Sequence, residues 1–178
     1  MKAVFALTLI TVLTSVAHAQ KIQSSFTPLS SSACRTLSVD KQTGASTERC
    51  PGISGFKLLV HDDDSRQSIA VVSPAGREHE LNFYEVITSA FSSVGERAEW
   101  RIATTNGKAS PIALIVRVNA SEDPENPTRV TSYLAVSKIT SAEVCVTHKI
   151  KASSTANEEA RRVADSNSNA PCLKAPDK

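Results

Sequence analysis

The segment 112–118 constrains the fold of this chain more than any other stretch. Six of its seven residues are apolar, so apolar side chains fall on both faces if the segment is a strand. A strand of this kind is typical of the centre of a sheet that is covered on both sides. The sequence therefore predicts a central strand with one packed layer above it and another below it.

Further strand signals lie on either side of this segment, and turns join them. Asn106 followed by Gly107 is a strong signal for a two-residue hairpin turn, which makes its flanking strands antiparallel. The segment 81–94 mixes a helical period with residues that favour strands, so an irregular segment with a helical turn is expected there. The other predicted strands are 35–39, 45–49, 56–60, 68–72, 99–102, 129–139 and 144–150.

One helix is predicted near the C-terminus, from residue 156 to about residue 166. Thr155 and Glu158 have the spacing of a capping box, and Pro171 prevents a long continuation. Small side chains along one stripe would allow the helix to approach a sheet closely: Ala156, Ala160, Val163 and Ala164. The predicted fold class is α+β, a mainly antiparallel sheet with this C-terminal helix docked on it.

The four cysteines predict two disulfides, with three connectivities open. Local pairing is expected. Cys34–Cys50 would close the open end of the first hairpin, and Cys145–Cys172 would tie the C-terminal segment to the sheet. Each bridge would stabilise the fold by about 3–4 kcal/mol. No Cys-x-x-Cys pair is present, so a zinc site built on cysteine is not expected.

The N-terminus has the features of a secretory signal peptide. Lys2 precedes the apolar run 3–12, and Ala17 and Ala19 give the small-x-small pattern of a cleavage site. We expect cleavage after Ala19, and a secreted or periplasmic protein. The run is too short to span a bilayer, and no membrane insertion of the mature form is expected. The predicted organisation is a signal peptide at 1–19, an extended leader at 20–33, a single β-rich domain at 34–173 and a tail at 174–178.

Charge and aromatic content exclude some classes of partner. Loss of Lys2 with the signal peptide leaves a net charge near +1 from a full-chain value of +2. A nearly neutral chain lacks the basic field that nucleic acids and anionic membrane surfaces attract. Aromatic residues make up 4% of the chain, too few for a base-stacking surface. No nucleic-acid partner is expected.

Several segments match a pattern that covers most of the mature chain. They are Cys50-Pro-Gly, the stretch from Phe91 to Glu99-Trp-Arg, 111–117, 134–138, Cys145-x-Val, and 157–165 with the trailing Cys172. In these segments the chain resembles a group of small uncharacterised secreted proteins from alphaproteobacteria such as the rhizobia. The resemblance implies export and paired cysteines, but neither an activity nor a functional residue.

Two groups of residues are weak candidates for ligand binding. Asp62 and Asp64 lie in an acidic cluster, where a Ca²⁺ ion would relieve repulsion, but a solvated turn is the favoured interpretation because the EF-hand spacing is absent. Arg101 and Arg117 fall on neighbouring strands and could converge on an anionic ligand. Glu99 is the alternative partner for these arginines, and a structural ion pair is the favoured interpretation.

No residue is predicted to be catalytic or to bind a metal or cofactor. The run Glu78-His79-Glu80 is interpreted as surface charge, and His148 as a partly buried structural residue. Ser54, in Gly52-Ile-Ser-Gly55, approximates a nucleophile elbow, but one glycine is offset from the required position and no helix follows. The predicted function is a non-enzymatic binding or interaction module for a protein or small ligand. The alternatives are a secreted inhibitor of a hydrolase, acting through an exposed loop at 121–128, and an enzyme of undetermined class.

Overall fold

The structure is a computed structural model that describes residues 21–175, so the predicted signal peptide and its cleavage site lie outside the described residues. This part of the chain forms ten strands, two α-helices and one short 3₁₀ helix. In chain order they are β1 (Lys21–Pro28), β2 (Arg35–Val39), β3 (Ser46–Cys50), β4 (Lys57–Asp63), β5 (Arg66–Val72), β6 (Glu78–Glu80), α1 (Phe83–Val86), β7 (Ser92–Thr105), β8 (Lys108–Ala120), β9 (Thr131–Ile139), β10 (Val144–Lys151), α2 (Ala156–Ala164) and the 3₁₀ helix Asn167–Asn169.

The strands form two layers that meet at one point along their edges. The first layer has the order β1-β7-β8-β9-β10, and the second has the order β2-β3-β4-β5-β6. A single parallel bridge between Arg66 and Ser92 joins them, and the other strand pairs of the described chain are antiparallel. The prediction of a mainly antiparallel sheet is confirmed.

The main core lies between the two layers. Trp100 is fully buried there, packs at 6.1 Å from the ring of Phe56, and donates a hydrogen bond from Nε1 to Thr27 Oγ1 at 2.9 Å. Both layers supply aliphatic side chains to this core: Leu58, Val60, Ile69 and Val71 from the second layer, and Ala98, Ile102, Leu114, Val116 and Val118 from the first. The arrangement is a β-sandwich.

A second, smaller core lies on the other face of the first layer, under α2. The helix buries three alanines, Ala156, Ala160 and Ala164, on side chains of the central strands. Those side chains are Ala113, Ile115, Leu134, Val136 and Ile150. The strand β8 is therefore covered on both faces, and the predicted docking of the C-terminal helix is confirmed.

The predicted capping box does not form. The side chain of Thr155 makes no capping hydrogen bond, and the helix ends at Ala164 rather than near residue 166. The physical reason is the backbone of Thr155, which has φ −105° and ψ −3°. A capping threonine needs extended backbone dihedrals to turn its hydroxyl toward the first free amides of the helix.

Both predicted disulfides are confirmed. Cys34–Cys50 closes the open end of the β2–β3 hairpin, and Cys145–Cys172 joins β10 to the segment that follows α2. The predicted hairpin turn between β7 and β8 is also present, with positive φ values of 52° at Asn106 and 76° at Gly107. Positive φ at both central positions is the requirement of a type I′ turn.

Two strand boundaries differ from the sequence analysis, and one bulge was not predicted. The segment predicted as a leader contains β1, which pairs with β7 along its whole length. The strand β7 begins at Ser92, earlier than the predicted strand 99–102. A bulge at Thr147 reverses the alternation of β10, so Val146 faces the main core while Ile150 packs under α2.

No helix within residues 21–175 is both long and apolar enough to cross a membrane.

Candidate functional site

An open groove of about 380 Å³ lies on the helix-bearing face of the first layer. Its floor is formed by β7, β8 and β9, and its two walls are β1 and the first half of α2. Its lining combines apolar, cationic, acidic and amide groups: Phe26, Glu96, Arg97, Glu99, Ile115, Arg117, Asn119, Leu134, Asn157 and Arg161. The groove exists because α2 covers only part of this face.

A bulge in β7 shapes the floor of the groove. Val94 pairs with Val118 and Ala98 pairs with Val116, so β7 carries extra residues between these two pairs. Gly95 lies in the bulge, and a Cβ atom there would come within 3.0 Å of Arg117 Cβ. Glycine therefore allows β7 to lie directly against the arginine.

Arg117 is the residue of the groove with the clearest capacity to bind a ligand. Its side chain is half-buried, and it has no hydrogen-bond or ion-pair partner among residues 21–175. A guanidinium in this state can bind a carboxylate or phosphate through two parallel hydrogen bonds. Arg97 lies at the opposite wall, with its guanidinium 4.8 Å from the centre of the Phe26 ring.

Arg161, by contrast, is already paired. It donates hydrogen bonds to both carboxylate oxygens of Glu99, at 2.6 Å and 3.1 Å. This pairing raises the pKa of Arg161 above its ordinary value. The groove thus contains a neutralised pair, Arg161 and Glu99, beside Arg117, which has no partner in the described part of the chain.

The structure does not bring Arg101 and Arg117 together on one ligand. Arg101 is buried and binds Asp165 through Nε and Nη2, at 2.6 Å and 2.7 Å. Its Nη1 donates to Ser24 Oγ and lies 3.7 Å from Glu99 Oε1. For Arg101 the favoured structural ion pair is observed, while Arg117 is left facing the groove.

The two acidic candidates bind separate partners. Asp62 Oδ2 accepts a hydrogen bond from Gln67 Nε2 at 3.0 Å, and Asp64 pairs with Arg66. Asp64 and Ser65 have positive φ values of 49° and 58°, so they form the turn between β4 and β5. The expected turn is present, and it does not direct both carboxylates toward one point.

A cluster that the sequence analysis did not predict lies on the outer face of the second layer. His61 on β4 meets Glu78 and Glu80 on β6 because both strands pair with β5. His61 Nε2 is 3.6 Å from Glu78 Oε1 and 3.3 Å from Glu80 Oε1. Burial, and then the neighbouring Glu78, raises the pKa of Glu80. The spacing of the two glutamates was a usable signal, but His61 joins them only through the pairing of three strands.

The loop between β8 and β9 is ordered by its own side chains. Asp123 Oδ1 accepts hydrogen bonds from the backbone amides of Glu125 and Asn126, at 3.1 Å and 3.2 Å. At its start, Glu122 accepts hydrogen bonds from Tyr133 Oη at 2.7 Å and Thr88 Oγ1 at 3.0 Å. These contacts fix an exposed loop in one conformation.

The contact between Tyr133 and Glu122 gives a titration that can be measured. Burial, and then the hydrogen bond to Glu122, raises the pKa of Tyr133 to about 12. A raised phenol pKa means that the contact contributes stability below the ordinary pKa of tyrosine, and that this contribution is lost as pH rises toward 12. We expect ultraviolet absorbance of a Tyr84→Phe variant to show this titration, since Tyr133 is then the only tyrosine. Glu122→Gln should lower the midpoint, and an unchanged midpoint would contradict the contact.

The fold and its groove define a disulfide-bonded β-sandwich with a helix docked on one outer face. Comparison of the chain with protein-family models, curated proteins and solved structures finds no match. The resemblance to secreted alphaproteobacterial proteins stays a prediction from sequence.

Proposed function

We propose that this chain is an exported, non-enzymatic binding protein whose groove holds a small organic anion. The observation that carries the proposal is the half-buried guanidinium of Arg117, which faces an open groove without a partner among residues 21–175. Removing an arginine from bulk water without a partner is unfavourable, and a bound carboxylate or phosphate compensates for that cost.

The neighbouring side chains select the rest of the ligand. Phe26, Ile115 and Leu134 give the groove an apolar surface beside the charge of Arg117. An apolar ligand body would contact these three side chains while its anionic group binds Arg117, away from the carboxylate of Glu96. The proposed ligand is therefore an acid or phosphate ester with an apolar body.

Export is part of the same proposal. Two disulfides cross-link the sandwich, and such bonds persist in oxidising compartments. The sequence of residues 1–19 supports export by a signal peptide. We place the mature protein, beginning at Gln20, in the periplasm or outside the cell.

The test is a titration with octanoate, which joins a carboxylate to an apolar chain, followed by ¹H–¹⁵N NMR. We expect shifts in the amides of β7 and β8 around Arg117. Arg117→Gln should weaken binding by roughly 10- to 100-fold, because a hydrogen bond to a charged group contributes about 1.5–3 kcal/mol. The matched control is Arg162→Gln, an exposed arginine of α2 that does not line the groove.

The proposal fails if Arg117→Gln binds octanoate and octyl phosphate as the parent protein does. It fails equally if Arg162→Gln weakens binding to the same extent, because the effect would then be one of general charge. Binding of octyl phosphate but not octanoate would keep the groove and assign the anion as a phosphate.

A second candidate function is inhibition of a hydrolase, which the ordered loop after β8 favours. Inhibitors present a rigid, exposed loop, and the side chain of Asp123 holds this loop from within. The two functions are separable. A hydrolase would contact the loop, so Arg117→Gln would retain inhibition but lose binding of the organic anion.

A further inference from the structure

Three potential metal-binding atoms converge on the outer face of the second layer. They are His61 Nε2, a carboxylate oxygen of Glu78 and a carboxylate oxygen of Glu80, and all lie within 4.8 Å of one another. Leu58 and Val60 point into the core. Because side chains alternate along a strand, His61, the residue after Val60, points to the outer face. Glu78 and Glu80 are two residues apart on β6 and share that outer face.

The imidazole of His61 is held in place by a contact on its other nitrogen. Nδ1 lies 3.1 Å from Thr47 Oγ1 on the neighbouring strand β3. Histidines that bind metals commonly donate the second ring N–H to an oxygen acceptor, which fixes the ring orientation and tautomer. If Nδ1 donates to Thr47, neutral His61 presents the lone pair of Nε2 to the two glutamates.

Nε2 is buried and has no hydrogen-bond partner among residues 21–175, although two carboxylates lie near it. The distances of 3.3 Å and 3.6 Å allow an ion pair, but Nε2 makes no hydrogen bond to either oxygen, and the contact to Glu78 is longer than a hydrogen bond. A lone pair facing two carboxylates is repulsive. A cation placed between the three atoms turns the same arrangement into an attractive one.

We propose that His61, Glu78 and Glu80 form a binding site for Zn²⁺ or a similar tetrahedral divalent cation. Zinc binds histidine nitrogen and carboxylate oxygen at about 2.0–2.2 Å, so two ligand atoms of a tetrahedral site lie about 3.3 Å apart. The distances from Nε2 to the two glutamates match that edge, and an octahedral Mg²⁺ site would need about 3.0 Å. The glutamates are 46% exposed, so a fourth position is open to water.

The test is a calorimetric titration of the tag-free exported protein with zinc chloride, both disulfides being intact. We expect one ion per chain and a rise in melting temperature on zinc addition. His61→Gln should weaken binding by at least roughly 100-fold, and Thr47→Val, which removes only the orienting contact, by about 10- to 100-fold. His79→Gln is the matched control, because His79 lies between the two glutamates in sequence but faces the other side of β6.

Co²⁺ in place of zinc gives a second readout, since tetrahedral coordination produces intense visible absorption that octahedral coordination does not. Glu80→Gln preserves the shape of the cluster and should abolish this absorption, which keeps the test valid if His61→Gln folds poorly. No zinc binding by the parent protein overturns the proposal. Equal loss in His79→Gln also overturns it. Arg117→Gln should bind zinc normally, so failure of the groove and failure of this site are distinguishable.

Discussion

Replacing Arg101 with alanine lowers the free energy of unfolding by about 3–5 kcal/mol, one of the two largest effects expected in this protein. The side chain of Arg101 is 9% exposed and pairs with Asp165 and with Glu99, whose side chain is 11% exposed. Removal of the guanidinium leaves Asp165 with fewer hydrogen-bond donors. It also leaves the carboxylates of Asp165 and Glu99 without the positive charge of Arg101. Urea denaturation measures the loss, and the fluorescence of Trp100, the only tryptophan of the chain, reports unfolding.

The control for this prediction is an exposed ion pair. Arg129 is 76% exposed and lies 3.6 Å from Asp123, so Arg129→Ala should cost no more than about 1 kcal/mol. Arg101→Lys should recover only part of the stability, because an ammonium cannot donate to both oxygens of Asp165 in the fixed geometry of a guanidinium. Equal midpoints for Arg101→Ala and Arg129→Ala would refute the argument.

The same network determines the shape of the groove. Glu99 accepts hydrogen bonds from Ser24 on β1 and from Arg161 on α2, while Arg101 connects Ser24 to Asp165 at the end of α2. The two walls of the groove are thus joined through buried charges beneath them. A variant that loosens Arg101 should therefore weaken the proposed anion binding as well as the fold.

The fold was largely predictable because its strongest signals are local. The apolar segment around Leu114 and Ile115, the turn at Asn106 and Gly107, and the alanine stripe of α2 each depend on a few neighbouring residues. The two disulfides were predictable for the same reason, because each joins cysteines that neighbouring elements of the chain bring together. The bulge at Thr147 was not predictable, because it depends on how β10 fits β9 rather than on a turn residue.

The candidate sites were less predictable, since each depends on contacts between distant residues. Arg101 and Asp165 are 64 positions apart, and their bidentate contact follows from the docking of α2. The sequence grouped Glu78 with its neighbour His79, but strand alternation separates them and pairing through β5 brings in His61. Arg117 was a candidate from sequence, while its lack of a partner within residues 21–175 was visible only in the structure.

Replacing Trp100 with alanine should lower the free energy of unfolding by about 3–5 kcal/mol, through a different cause from that of Arg101. The indole is fully buried between the two layers, and its removal leaves a cavity beside Phe56. It also removes the donor to Thr27 Oγ1, whose residue is buried in β1. Circular dichroism in urea is the suitable measurement, because this variant has no tryptophan.

Two further variants separate the causes of this loss. Trp100→Phe retains much of the apolar volume but not the hydrogen bond to Thr27, so its cost should lie between those of the parent protein and Trp100→Ala. Val39→Ala changes an exposed side chain, 59% accessible, and should stay within about 0.5 kcal/mol of the parent. If Trp100→Ala unfolds at the urea concentration of Val39→Ala, the two layers do not depend on the indole. Because Thr27 and Phe26 are adjacent on β1, loss of the indole contact should also displace the groove wall that Phe26 forms.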